Sequence, residues 1–151
     1  PTRTLRSSSA TFSSIPSGIT MLVVMFSEVS GSESQEQFRL QFGDSGGIET
    51  SGYLSLGAKV TGSPTIIMDG DADYVSVGSG LGAGDKYTGN LIFTLKNSST
   101  FDWVGHAVGR LNAVELSLTM TGKALSSELT QLTITTSGGT FDYGSINISY
   151  L

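Results

Sequence analysis

Apolar and polar side chains alternate with a period of two along most of the chain. Phe38, Leu40 and Phe42 alternate with Gln37, Arg39 and Gln41, and Val114, Leu116, Leu118 and Met120 with Glu115, Ser117, Thr119 and Thr121. Leu132 and Ile134 lie among threonines, and Ile146 and Ile148 sit beside Asn147 and Ser149. Successive side chains of a strand point to opposite faces, so each stretch predicts a strand with its apolar row turned into a core. Residues 10–15, 52–60, 65–68, 74–77, 91–96 and 101–108 read as further strands. Turn signals separate them at Gly31-Ser32, 43–47, Gly62-Ser63-Pro64, Asp69-Gly70, 78–84 and Gly138-Gly139. About nine to eleven short strands at regular spacing predict an all-β fold, a two-sheet antiparallel sandwich or jelly roll. Leu125, Leu129 and Leu132 have helical spacing, but the stretch is short and rich in Ser and Thr. It reads as a turn leading into a strand.

Residues 19–29 break the alternation, being apolar on both faces. Such a strand must be covered twice, by its own sandwich and by something else. Two coverings fit: a loop folded over a central strand, or a neighbouring subunit. The second makes Met21, Val23 and Met25 candidates for a subunit interface.

Composition narrows the class. The 151 residues suffice for one domain with its own core, read as 10–151 after a Ser/Thr-rich lead-in at 1–9. A chain that opens on Pro1 reads as part of a longer one, with a stem before it. With no cysteine, disulfides and thiolate chemistry are excluded. The net charge is −5 and the basic residues are scattered singly, which argues against nucleic acid as a partner. The longest apolar run, 19–26, is too short to span a bilayer.

Several motifs could carry chemistry. Gly43-Asp44-Ser45-Gly46-Gly47 matches the nucleophile sequence of trypsin-like proteases, yet the only histidine, His106, follows it where that order needs one before. The same residues fit Gly-x-Ser-x-Gly, with Asp69, Asp71, Asp73, Asp85 or Asp102 and then His106 completing a triad. That nucleophile needs a strand-to-helix turn, whereas residues 48–60 stay strand-like, so a hairpin turn is the expectation. Asp69-Gly70-Asp71-Ala72-Asp73 opens like a calcium loop but has Tyr74 and Gly80 where the pattern wants Gly and Glu. Residues 80–85 are glycine-rich, but no helix follows to cradle a phosphate. Trp103, the single tryptophan, follows Asp102, a pairing suited to stacking on a sugar face. With Asp73 and Tyr74 they form the candidate ligand-binding set, against the alternative of a core tryptophan. No catalytic residue, metal or cofactor is implied, and the expectation is a binding or structural module.

Two stretches carry a resemblance. Phe12-Ser13-Ser14-Ile15-Pro16-Ser17-Gly18-Ile19, running into Val23-Val24-Met25-Phe26-Ser27-Glu28-Val29-Ser30, resembles the opening of a C-terminal module of phage and prophage tail fibres. Phe141-Asp142-Tyr143-Gly144-Ser145-Ile146-Asn147-Ile148-Ser149-Tyr150 is similar to the strand that closes many such proteins. Gly47-Ile48-Glu49-Thr50-Ser51-Gly52-Tyr53 and Leu132-Thr133-Ile134-Thr135-Thr136 fall between in the expected order. Thr20-Met21-Leu22 stands where relatives often carry a basic pair. The resemblance implies a homotrimeric distal knob of a tail fibre or tail needle, with a jelly roll like that of tumour necrosis factor. It further implies a place on the virion tail, outside the cell, and contact with a bacterial surface glycan or envelope component.

Overall fold

The computed structural model describes residues 1–60, 66–112 and 115–151, and for 66–71, 79 and 115 the backbone only. The expected turn at Gly62-Ser63-Pro64, and Thr65 and Val114 of two expected strands, lie outside the described residues. Thirteen strands and no helix occur among those described. In chain order they begin with β1 (Thr2–Thr4), β2 (Ser9–Phe12), β3 (Met21–Gly31), β4 (Glu36–Asp44) and β5 (Gly47–Ile48). There follow β6 (Tyr53–Val60), β7 (Ile66–Asp71), β8 (Val75–Leu81) and β9 (Tyr87–Asn97). Last come β10 (Asp102–Leu111), β11 (Glu115–Ala124), β12 (Gln131–Thr136) and β13 (Phe141–Tyr150).

The architecture is an antiparallel two-sheet sandwich of jelly-roll type. An eight-stranded sheet runs β1-β13-β3-β9-β10-β11-β6-β7, and a smaller one runs β2-β12-β4-β5 with β8 also paired to β4. The core lies between them. The predicted rows of β4, β12 and β13 point inward: Phe38, Leu40, Phe42, Leu132, Ile134, Ile146 and Ile148 are all buried. Aromatic rings join the layers, with Phe42 edge-on to Phe93 at 4.8 Å and to Trp103 at 6.3 Å between centroids.

Several expectations change. The strand count exceeds nine to eleven because Gly47–Ile48 and Thr2–Thr4 also pair. The second of these falls in the expected lead-in, yet Thr2, Arg3 and Thr4 align with Asn147, Ile146 and Ser145 at the edge of the larger sheet. Asp69-Gly70 is not a turn but part of β7, and the chain reverses at 72–74 instead. The glycine-rich 78–84 is in large part strand, with Gly78 and Gly80 at positive φ inside β8.

The alternation of β11 is correct in period and inverted in phase. Leu116, Leu118 and Met120 were expected in the core but are 53%, 41% and 65% exposed, while Ser117 and Thr119 are 4% and 3% exposed. The cause is β8, which packs against the inner sides of β6 and β11. The Ser76 amide donates to Ser55 Oγ at 3.0 Å, and Thr119 Oγ1 donates to the Ser76 carbonyl at 2.8 Å. A backbone seated so closely admits only small side chains beneath it.

On β10 the same rule takes the form of glycines. A Cβ on Gly109 would lie 2.3 Å from the Tyr87 ring, and one on Gly105 would lie 2.4 Å from Phe93. Gly109→Ala is therefore expected to destabilise the fold by about 1–3 kcal/mol through overpacking. Gly138→Ala, where a Cβ meets nothing within 4 Å, is expected to be near neutral. Denaturant unfolding of both variants beside the parent checks this.

Candidate functional site

The inverted strands build an apolar surface on the outside of the larger sheet. Its register aligns three rows across β3, β9, β10, β11 and β6. The first is Met21, Thr94, Val104, Gly122 and Leu54, and the second is Val23, Ile92, His106, Met120 and Leu56. Met25, Asn90, Val108, Leu118 and Ala58 make the third. None of these fifteen positions holds a carboxylate, a lysine or an arginine. Strands about 4.8 Å apart and outward residues about 6.8 Å apart give a face of roughly 400 Å². Polar side chains border it, Ser149 and Asn147 beyond β3 and Thr88 on β9. Two hollows indent it, one of about 770 Å³ between Leu54, Leu56, Val104 and Met120, the other of about 280 Å³ beside His106 and Val108.

The predicted interface residues Met21, Val23 and Met25 are half-buried on this face, at its β3 flank. Its centre, on β10, β11 and β6, escaped sequence reasoning. A signal was present, since Ser55, Gly57, Gly105, Ala107, Gly109, Ser117 and Thr119 hold the opposite phase. Small residues in every alternate place mark the side where space is short.

The predicted ligand set does not come together. Trp103 is 2% exposed and packed on Phe42, so no ring face is open to a sugar, which corrects the stacking role. Its Nε1–H is buried without a hydrogen-bond partner among the described residues. Asp102 accepts from Lys96 Nζ at 2.9 Å. Tyr74 lies on the smaller sheet's side, where its hydroxyl donates to Gln37 Oε1 at 2.8 Å and the Arg39 guanidinium covers its ring at 4.5 Å. Asp73 is exposed in the turn before β8, and its carbonyl accepts from Gln41 Nε2 at 2.9 Å. Neither strand nor turn brings Trp103 and Tyr74 to one surface.

The protease-like motif is a hairpin, as expected. Asp44 ends β4 and pairs with Gly47 of β5. Its Oδ1 accepts the Gly46 amide at 2.7 Å and its Oδ2 the Ser126 hydroxyl at 2.7 Å. Those bonds, Ser126 first, hold the Asp44 pKa below the usual carboxylate value. Burial would raise Glu49, but Lys123 and Ser126 outweigh it together and hold that group low as well. Each acid thus fastens the β4–β5 hairpin to the segment after β11. His106 stands on the outer face of the other sheet, with Ile92 and Met120 as its cross-strand neighbours.

Glu36 is the unusual acid. It is 2% exposed beneath Gly31 and Gly139, and neither carboxylate oxygen has a hydrogen-bond partner among the described residues. Burial pushes its pKa up and the charges of Glu33 and Asp142 add to this, while the nearby Glu33 backbone offsets part. No group of three or more metal-ligating side chains is assembled among the described residues.

No protein-family model matches the sequence, and no curated protein sequence does. Among solved structures, the galectin LEC-6 of Caenorhabditis elegans superposes with a TM-score of 0.45 at 10% identity, over 98% of this chain and 95% of that one. The marine PL-14 alginate lyase from Aplysia kurodai gives 0.44 at 9%, over 90% and 70%. Likenesses so distant transfer no ligand and no chemistry to this chain.

The buried acid generates a pH prediction. A group whose folded pKa is raised binds its proton more tightly in the folded than in the unfolded chain. Its contribution to stability is therefore fully present below the ordinary carboxylate value and is lost as pH rises through the raised one. Glu36→Gln is expected to raise the neutral-pH Tm by about 2–4 °C and to leave the acidic Tm nearly unchanged. Thermal melts of both proteins across that range check the sign.

Proposed function

We propose that the chain is the homotrimeric distal knob of a bacteriophage tail fibre or tail needle, assembled through the outer face of its larger sheet. The observation that carries the self-association is the phase of β6, β10 and β11, where large apolar side chains point away from the core. A specific interface covers about 800 Å² on each partner, with charge depleted at its centre and a polar rim. The uncharged face of roughly 400 Å² supplies such a centre, and its border such a rim. Removing apolar surface from water is the favourable contribution that opposes the freedom lost on association. A second copy is the partner argued for, because it brings an equally apolar surface with hollows to match the projecting Leu54 and Met120.

The phage tail setting rests on the sequence resemblance at residues 12–30 and 141–150. The reading gives the chain no catalytic role and places it on the virion, outside the cell, in host attachment or envelope penetration. A second reading is favoured by one observation, that the expected ligand residues are buried, paired or apart. In it the knob only registers and caps the trimer.

Light scattering at micromolar concentration is expected to return three chains. The double variant Val108→Asp, Leu118→Asp is expected to stay folded and to lose association about a hundredfold or more, since like charges then meet across the contact. A monomeric parent chain would overturn the assembly. Excess soluble knob is expected to slow adsorption of the virus that carries it; absence of competition would support the cap.

A further inference from the structure

We propose that assembly through the larger sheet is released by acid, with His106 as the sensor; this rests on the self-association reading above. His106 is the only histidine and occupies the middle row of the face. Val104 and Val108 flank it on its own strand, Ile92 and Met120 face it from β9 and β11, and Leu56 and Ala58 of β6 border the hollow it lines. None can offer a negative charge to a protonated imidazole. Along β10 the outward ionisable groups are Asp102 and Arg110, each four residues away and so about 13 Å distant. Asp102 already holds Lys96, the one outward cation of β9, at 2.9 Å.

In a free chain water solvates His106 in either protonation state. Inside an assembled face the neutral ring is tolerated, whereas the imidazolium would be enclosed among apolar side chains without a counter-ion. The assembly therefore binds fewer protons than the separate chains. Association is strongest in mild alkali and weakens as pH falls through the range where histidines titrate, about pH 8 to 5. Linkage limits the effect to about tenfold in association per chain per pH unit.

Sedimentation velocity over a dilution series at about pH 8, 6.5 and 5 tests this on the full chain, with His106→Phe as a variant that cannot titrate. His106→Asn is the second non-titrating variant, should the larger ring disturb the packing. The parent is expected to be assembled at the highest pH, to dissociate toward the lowest and to reassociate on neutralisation. Unchanged far-UV circular dichroism and Trp103 emission would accompany this, and the variants are expected to hold together throughout. Equal association of the parent at both extremes would overturn the proposal. Acid dissociation of the variants matching that of the parent would overturn it too. A parent that is monomeric even at the highest pH would instead overturn the self-association on which the proposal rests.

Discussion

The seating of β8 on the inner sides of β6 and β11 decides the rest of the structure. Two hydrogen bonds, Ser76 amide to Ser55 and Thr119 to Ser76 carbonyl, draw one strand's backbone onto another sheet. Sheets packed through side chains alone stand about 10 Å apart, and a direct backbone bond leaves no room for large side chains between. Ser55 and Thr119 are small because of it. The large residues that alternate with them have only the outside left.

The inversion separates two quantities that a sandwich ordinarily couples. Folding stability comes from the half of the molecule where Phe38, Phe42, Phe93, Trp103 and Tyr87 fill the interlayer space. The outer apolar face contributes little to folding, since its side chains meet mainly one another and water. Its hydrophobic free energy is available to an encounter with another molecule. The absence of fixed charge from its rows also means that docking there gains little from long-range steering and depends on short-range fit.

Much of the fold was legible in the sequence, for physical reasons that also set the limit. Period-two alternation reports a strand whichever face is buried, so β4, β11, β12 and β13 were all found. Which face is buried depends on the neighbour, and for β11 that neighbour is β8, more than thirty positions earlier in the chain. The apolar row of β11 reads as core because the residue types that fill a core also make an apolar outer face. Residues 19–29 are legible as a strand apolar in both phases, and the phase of Met21, Val23 and Met25 lies half-buried on the outer face. Trp103 shows the converse. An acid beside an indole suggests a sugar platform, but β10 turns consecutive side chains to opposite faces, so Asp102 and Trp103 never share a surface.

The glycines of β10 carry a consequence for how the chain finds its pairing. A strand that slips by one residue exchanges its two faces. Such a slip would place Val104 and Val108 in the core, but with them Asp102, His106 and Arg110, and would turn the buried Trp103 and Leu111 outward. Volume opposes it as well: the rings of Tyr87 and Phe93 press against Gly109 and Gly105, and a valine brought under either ring could not fit. The pairing of β9 with β10 is keyed by shape, like a lock whose wards are two missing side chains.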